Sequence, residues 1–271
     1  MYRKTFLALL GFLVLGLTAL PGATIAATPT PQNSTSAAGY ALTASAGNNI
    51  TSIKASWLVP SLTCSGTNSY SNMSIMIDGF TDSDLLRIGT TANCVSGVAT
   101  YGVLLNLKLT GGVVKIITPL PTTIKAGDLI EAAGSWNTGG SPKHGGATNQ
   151  GWRATLTDVN AVQTGKISDK STTKAALNSA AFLVGKPSGP LANFGTAGFG
   201  YATTGIRSTC ELTAGFSNHT VFKAISIGLL GNQKGFTLTQ YGMVNGLDVL
   251  ATTNSLDVKG KSFTVTFNAA T

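Results

Sequence analysis

Short apolar stretches in which hydrophobic and polar residues alternate recur along most of this chain. The segment SIKASWLVP, residues 52–60, places Ile53, Ala55 and Trp57 on one side of an extended strand and polar residues on the other. Similar runs are separated by turns rich in Gly, Asn, Ser and Thr, and about a dozen strands follow from the pattern. Gly111-Gly112 separates two runs, as in a hairpin. The pattern predicts an all-β sandwich or barrel in a single domain over residues 40–271.

The segment STTKAALNSAAFLVG, residues 171–185, also contains enough alanine for a helix. Its first half could be helical, whereas its last residues are typical of a strand. The sequence alone leaves both possibilities open.

The first 26 residues have the three-part layout of a secretory signal peptide. Arg3 and Lys4 precede an apolar run at residues 6–20, and small residues lead to a cleavage site after Ala26 or Ala27. This run is shorter than the roughly 20 residues that span a bilayer. We therefore expect a secreted, extracellular protein with no membrane span after signal cleavage. Residues 27–39 lack apolar periodicity and predict a flexible leader.

Charged residues are only 10% of the chain, far below the usual value of about 25%. Without Arg3 and Lys4, 16 basic and 10 acidic residues remain, a net charge of +6. The basic residues are scattered and are not interleaved with aromatic residues, so no nucleic-acid partner is expected. A surface with few carboxylates suits an acidic exterior.

The chain has three cysteines, Cys64, Cys94 and Cys210. In an exported protein two of them should pair. A Cys64–Cys94 disulfide would close a loop of about 30 residues and contribute roughly 3–4 kcal/mol. Cys210 would then be either buried and inert or linked to another chain.

Four Asn-X-Ser/Thr sequons are candidate glycosylation sites on the surface, in a cell that glycosylates exported proteins. They are Asn33, Asn49, Asn72 and Asn218.

Candidate catalytic and metal-binding groups are sparse. The two histidines, His144 and His219, lie in a Gly-rich loop and in a sequon, which favours solvent exposure over catalysis. Asp82 and Asp84 form a short acidic turn without a third ligand, a weak signal for calcium. We expect no metal and no cofactor.

Few carboxylates remain for acid–base chemistry. Of the two glutamates, Glu131 points away from Ile130 and Ala132 on strand alternation, and Glu211 adjoins Cys210. Asp78 ends an apolar run before a glycine, where it either caps a turn or lines a cleft. Asp78 and Glu131 are the fallback candidates for a general base.

Several motifs occur together in one order: ASWLVPSLTC, IDG, IKAGDLI, PLANFGTAGF and SLDVKGKSFTVTF. In this order they resemble the secreted glutamic peptidases of the eqolisin group (G1, formerly A4), from about Gly39 to Phe267. The resemblance implies a concanavalin-like sandwich of two antiparallel sheets, each of about seven strands. It also implies a concave face that holds an extended peptide.

The resemblance further implies a catalytic Glu and Gln on that face. The Glu would act as general base on the attacking water, and the Gln would orient this water and stabilise the oxyanion. By motif, the Gln position is Arg87 in LLRIG, and the Glu position is Gly185 in FLVG. Arg offers only donors and Gly has no side chain, so neither can replace the catalytic pair. The chain is therefore expected to have no catalytic residues at these positions, although Arg87 could instead be an exposed residue in a shifted register.

The same resemblance suggests residues that line the peptide groove. They are Trp57, which also fits a core position, Asp78, and Tyr101 on the strand that would form the groove wall. If Arg87 lies in this groove, pairing with Asp78 or Glu131 would explain how the groove tolerates its charge.

Three functions are compatible with these observations. The first is a secreted module without peptidase activity that binds a polypeptide or a cell-surface component. The second is an acid endopeptidase that uses Asp78 or Glu131 as the base. The third is a subunit of an extracellular coat or fibre, with the leader adding as a strand to a neighbouring molecule.

Overall fold

The computed structural model describes residues 28–79, 85–108, 113–138, 150–170, 175–200, 210–217 and 220–270. Strands dominate these ranges, with one short helix, α1 (Ile227–Gly231). The first nine strands are β1 (Thr30–Ser34), β2 (Ala37–Ala44), β3 (Asn49–Leu58), β4 (Ser69–Ile77), β5 (Leu85–Val95), β6 (Val98–Lys108), β7 (Val113–Thr118), β8 (Leu129–Thr138) and β9 (Gln150–Asp158). The remaining strands are β10 (Gln163–Lys170), β11 (Ser179–Gly185), β12 (Thr196–Phe199), β13 (Cys210–Gly215), β14 (Val221–Ser226), β15 (Phe236–Asn245), β16 (Asp248–Thr253) and β17 (Phe263–Phe267).

Strand pairing produces two series of seven neighbouring strands. The first half runs in the order β1, β15, β2, β11, β4, β5, β6. The second half runs in the order β14, β13, β3, β8, β9, β10, β7. All of these pairings are antiparallel except β1 with β15, which is parallel. The all-β class and the antiparallel architecture expected from the sequence are confirmed.

Three further strands join the two halves. Strand β12 pairs with β3 and β17, β17 pairs with β16, and β16 pairs with β15. The hydrogen-bonded ladder is therefore continuous through seventeen strands, rather than divided into the two separate sheets of the sequence-based prediction. The two halves are joined because β12, β17 and β16 pair in succession between β3 of the second half and β15 of the first.

The core lies between the inner faces of the two halves. Trp57 on β3 is fully buried and donates a hydrogen bond from Nε1 to Thr90 Oγ1 on β5, at 3.1 Å. A Cβ atom on Gly134 would lie 2.7 Å from Leu86 Cδ2, so this glycine allows β8 to approach β5 closely. Phe199 packs against Phe182 and Phe263. These contacts pack the inner face of the first half against the inner face of the second.

The N-terminal leader differs from its prediction. Residues 30–34 form β1, and β2 begins at Ala37, so most of residues 27–39 are strand and not a flexible segment. Four of the five β1 residues are exposed. The strand therefore has no buried apolar residues, and the hydrophobic pattern of the sequence does not predict it. Backbone hydrogen bonds to β15 hold it, and these need no hydrophobic side chain.

The described part of residues 171–185 contains no helix. Residues 175–178 have no regular structure and Ser179–Gly185 is a fully buried strand, while residues 171–174 lie outside the described ranges. Across the described residues, no helix combines the length and the apolar character that crossing a membrane requires. The predicted signal peptide at residues 1–26 lies outside those residues.

Candidate functional site

The face of the first half that points away from the core carries a small polar cluster. In the pairing register Gly185 on β11 is opposite Asn72 on β4, and Met76 on β4 is opposite Arg87 on β5. Side chains alternate between the faces of a strand, so Asn72 and Ser74 share one face with Arg87. We call Asn72, Ser74, Arg87 and Gly185 the arginine cluster.

Two neutral side chains of β4 hold Arg87. Its Nε donates to Ser74 Oγ at 2.8 Å, and its Nη2 donates to Asn72 Oδ1 at 2.6 Å. Asn72 and Ser74 are buried and Arg87 is half-buried. Burial lowers the pKa of Arg87 from its usual value, but a guanidinium stays charged in proteins. Arg87 is therefore an oriented cation in the sheet face and not an exposed strand residue.

Because Gly185 has no side chain, it leaves space for the guanidinium of Arg87. A Cβ atom on Gly185 would lie 2.7 Å from Arg87 Nη2 and 2.8 Å from Asn72 Oδ1. The two positions that the eqolisin resemblance assigned to the catalytic pair are thus direct neighbours. Gly185 contributes no carboxylate there, and the guanidinium fills the space that a side chain at this position would enter.

Beside the arginine cluster, the same face is apolar. Ala41, Met76, Ala181 and Leu183 form a buried group that is separate from the main core. Ala37, Leu85 and Tyr241 are partly buried and pack around it. We call these seven residues the apolar floor. A charged group at one end of an apolar surface suits a ligand with both characters.

Asp78 does not belong to this face. It is fully buried with φ at 61°, in the left-handed region. Its carboxylate accepts hydrogen bonds from the backbone N–H groups of Leu177, Asn178 and Ser179, at 2.8, 2.8 and 3.4 Å. Asp78 therefore holds the irregular segment before β11 in place, and the assignment of Asp78 to the groove lining is wrong.

Both glutamates lie in the second half. Glu131 Oε1 is 3.5 Å from Lys54 Nζ, and Glu211 Oε1 is 3.6 Å from Lys261 Nζ. In the part of the chain that the structure describes, these are the two ion pairs, and neither includes Arg87. The suggested pairing of Arg87 with Asp78 or Glu131 is therefore wrong, because neutral oxygens of β4 take that role.

Trp57 and Tyr101 line the core rather than the groove. Trp57 shares its strand face with the buried Ile53 and Ala55. Tyr101 is opposite Ala92, on the core side of β6, and its hydroxyl accepts a hydrogen bond from the Leu62 backbone N–H at 3.4 Å. The side chains of β6 that alternate onto the open face include Leu104 and Asn106. The prediction that Trp57 and Tyr101 line the groove is therefore wrong, because both side chains face the core.

The cysteine prediction is confirmed. Cys64 and Cys94 form a disulfide with a Cα–Cα distance of 5.5 Å. Cys210 is free and buried, and burial raises the pKa of its thiol well above the usual value.

The sequons have different outcomes. Asn72 is 3% exposed and hydrogen-bonded to Arg87, so its prediction as a surface glycosylation site is wrong. Asn33 is exposed on β1 and Asn49 is half-buried at the start of β3, and both stay predictions. Asn218 lies outside the described residues.

Several other candidates also fall outside those residues, namely His144, His219, Asp82 and Asp84. Within the described residues, no group of three or more His, Cys, Asp or Glu side chains could hold a metal ion.

Sequence reasoning missed Asn72 and Ser74 as partners of Arg87. The alternation in NMSIMID did contain the signal, because Met73, Ile75 and Ile77 take one face and leave Asn72 and Ser74 on the other. The sequon at Asn72 instead predicted an exposed side chain.

Comparison with known proteins identifies the family and similar folds. The sequence profile of the Peptidase A4 family matches residues 35–249. The fold is similar to scytalidoglutamic peptidase, solved with a peptide-based transition-state analogue, with a TM-score of 0.57, 16% identity, and coverage of 88% of this chain and 100% of that one. It is also similar to SCP-B, an eqolisin solved with the tripeptide Ala-Ile-His, with a TM-score of 0.55, 14% identity and the same coverage. No curated protein sequence matches the chain.

Proposed function

Because this chain belongs to the Peptidase A4 (eqolisin) family, we propose that it is a family member without peptidase activity that binds an extended peptide or a cell-surface polypeptide. The predicted signal peptide supports secretion. The proposed binding surface is the face of the first half that points away from the core, where Arg87, Leu85 and Tyr241 are partly exposed among the arginine cluster and the apolar floor. Structures of relatives with a tripeptide and with a peptide-based analogue support a peptide as the ligand.

One observation supports the proposed absence of peptidase activity. The guanidinium of Arg87 lies where a side chain at position 185 would project, and Gly185 has none. A water molecule at this place would meet donors and a fixed positive charge, and no carboxylate of the described residues lies beside Arg87 to remove its proton. Loss of a general base typically lowers the rate by about 10²–10⁴-fold, and loss of an oxyanion donor by about 10²–10³-fold.

Neither alternative function gains support from the described residues. An endopeptidase that used Asp78 would need a carboxylate already engaged by three backbone N–H groups. One that used Glu131 would need a residue of the second half, which is ion-paired with Lys54. A coat or fibre subunit needs a leader that can reach a neighbour, whereas residues 30–34 pair with β15 of their own chain.

A capture experiment tests binding and cleavage together. The mature protein is incubated with a mixture of peptides between about pH 2 and 7 and recovered, and the retained peptides are analysed by mass spectrometry. We expect intact peptides on this protein, and cleaved ones in parallel reactions with scytalidoglutamic peptidase. Retention of nothing, or recovery of fragments, would contradict the proposal.

A matched pair of variants locates the binding surface. Leu85→Ser changes the apolar floor and should reduce capture. Val258→Ser changes a side chain that is 83% exposed and lies away from this face, and it should leave capture unchanged. Equal capture by the two variants would place the ligand elsewhere.

A further inference from the structure

The guanidinium of Arg87 has unused hydrogen-bonding capacity. Arginine carries five N–H donors, and here the Nε–H and one Nη2–H are used by Ser74 and Asn72. These two donors form the side edge of the guanidinium plane. The end edge, formed by Nη1 and the second Nη2–H, donates to no described residue. A carboxylate fits this end edge with two parallel hydrogen bonds.

The charge of Arg87 is also uncompensated within the described residues. Lys54 and Lys261, the cations beside Glu131 and Glu211, each lie within 4 Å of an acidic oxygen. Arg87 is half-buried, and its hydrogen-bond partners among the described residues are the neutral Ser74 and Asn72. Removing a charge from water without an opposite charge is costly, and the cost falls when an anion binds. Among the described residues, Arg87 is thus an oriented cation without an anionic partner.

We propose that Arg87 anchors a carboxylate of the bound polypeptide, either an acidic side chain or the C-terminus, through Nη1 and Nη2. This inference rests on the proposed peptide-binding function and specifies its ligand chemistry. Asn72 and Ser74 orient the guanidinium, so that little side-chain entropy is lost when the anion binds. The half-buried Leu85, two residues before Arg87 on the same face of β5, contacts the apolar part of the same peptide.

Three fluorescein-labelled peptides of equal length distinguish the two sources of the carboxylate. The first has an internal Gln and an amidated C-terminus, the second replaces the Gln by Glu, and the third keeps the Gln but has a free C-terminus. Fluorescence anisotropy at about pH 6 measures their affinities. We expect one acidic peptide to bind at least about tenfold more tightly than the neutral one, as for a charge-assisted hydrogen-bonded pair. The tighter of the two acidic peptides identifies the source.

Variants assign this preference to Arg87. Arg87→Gln should abolish the difference between acidic and neutral peptides, and Arg87→Lys should retain only part of it because it lacks the planar fork. Arg153→Gln is the matched control, since Arg153 is an exposed arginine on β9 in the second half, and it should keep the full preference. Equal affinity of the unmodified protein for all three peptides, or a preference that persists in Arg87→Gln, would overturn the carboxylate site while leaving peptide binding intact.

A second measurement separates failure of this site from failure of the proposed function. The chain contains four arginines, so the side-chain Nε–H signals in a ¹⁵N spectrum are few. Sodium acetate is titrated into the folded protein, with sodium chloride as the control. A saturable shift of the Arg87 signal with acetate, but not with chloride, supports the carboxylate site even if no peptide binds. An unchanged Arg87 signal together with absent peptide selectivity would overturn it.

Discussion

The Nη2 nitrogen of Arg87 lies 2.7 Å from the point that a Cβ atom on Gly185 would occupy. A side chain at position 185 and the guanidinium of Arg87 would therefore compete for the same space. Strand β11 offers the space, β5 supplies the cation that fills it, and β4 between them supplies Asn72 and Ser74 as its hydrogen-bond acceptors. This face of the first half therefore holds a fixed cation, oriented by two neutral side chains.

Adding a methyl group at position 185 tests this packing. In Gly185→Ala the new Cβ would displace the Arg87 guanidinium and break its hydrogen bond with Asn72. We expect a loss of about 1–2 kcal/mol in the free energy of unfolding, measured by urea denaturation. Gly198→Ala is the control, because its Cβ would meet no atom closer than 3.7 Å. Equal effects of the two substitutions would show that Arg87 does not depend on the space beside Gly185.

Replacing Asp78 should affect folding rather than any reaction. Asparagine tolerates the left-handed backbone at this position, so Asp78→Asn removes the charge from three hydrogen bonds without adding backbone strain. We expect a destabilisation of about 2–3 kcal/mol. Glu131→Gln, which breaks a partly exposed pair, should cost less than about 1 kcal/mol. An Asp78→Asn protein as stable as the unmodified one would contradict the structural role of this carboxylate.

Asp169 should make the protein more stable in acid than at neutral pH. It is 6% exposed, and burial raises the pKa of its carboxyl. The backbone of Trp152 offsets only part of this effect, since neither oxygen of Asp169 makes a well-formed hydrogen bond with a described residue. The unfolded chain loses the proton near pH 3.9, whereas the folded chain keeps it to higher pH. Stability therefore falls as the pH rises from about 3.9 through the raised pKa of the folded state.

The variant Asp169→Asn measures this contribution. It should raise the melting temperature at pH 7 and leave it nearly unchanged at pH 3, where the native carboxyl is already protonated. Asp248→Asn, at an exposed position on β16, should change neither value. A fall in the pH 7 melting temperature of Asp169→Asn would mean that the ionised carboxylate has a stabilising partner.

The thiol of Cys210 should react only after unfolding. It is fully buried, and burial favours its protonated form, which is a poor nucleophile. Ellman's reagent should detect no thiol in the native protein and one in guanidinium chloride, with the Cys64–Cys94 disulfide intact. Rapid labelling of the native protein would contradict the burial, and no labelling after unfolding would indicate a link to another chain.

Much of this fold is predictable from the chain, because alternating runs such as SIKASWLVP fix which side of a strand is buried. The same alternation could have placed Trp57 in the core, since it follows Ile53 and Ala55 at spacing two. The order of the motifs also predicted that Arg87 and Gly185 lie on the same face, although they are far apart in the sequence.

Other features depend on contacts that no local pattern contains. Strand β1 forms by backbone pairing with β15 more than 200 residues later, so its exposed residues carry no hydrophobic signal. The structural role of Asp78 depends on the N–H groups of residues 177–179. The sequence showed an acidic residue before a glycine, but not which donors would surround it.

The most direct test of the central claim is hydrolysis of a quenched fluorescent peptide library by the mature protein in molar excess. The assay covers about pH 2 to 7, with scytalidoglutamic peptidase as the positive control in the same buffers. We predict no fluorescence above the protein-free blank at any pH. Release of fluorescence by the purified protein that disappears in Asp78→Asn or Glu131→Gln, while the variant remains folded, would contradict the claim.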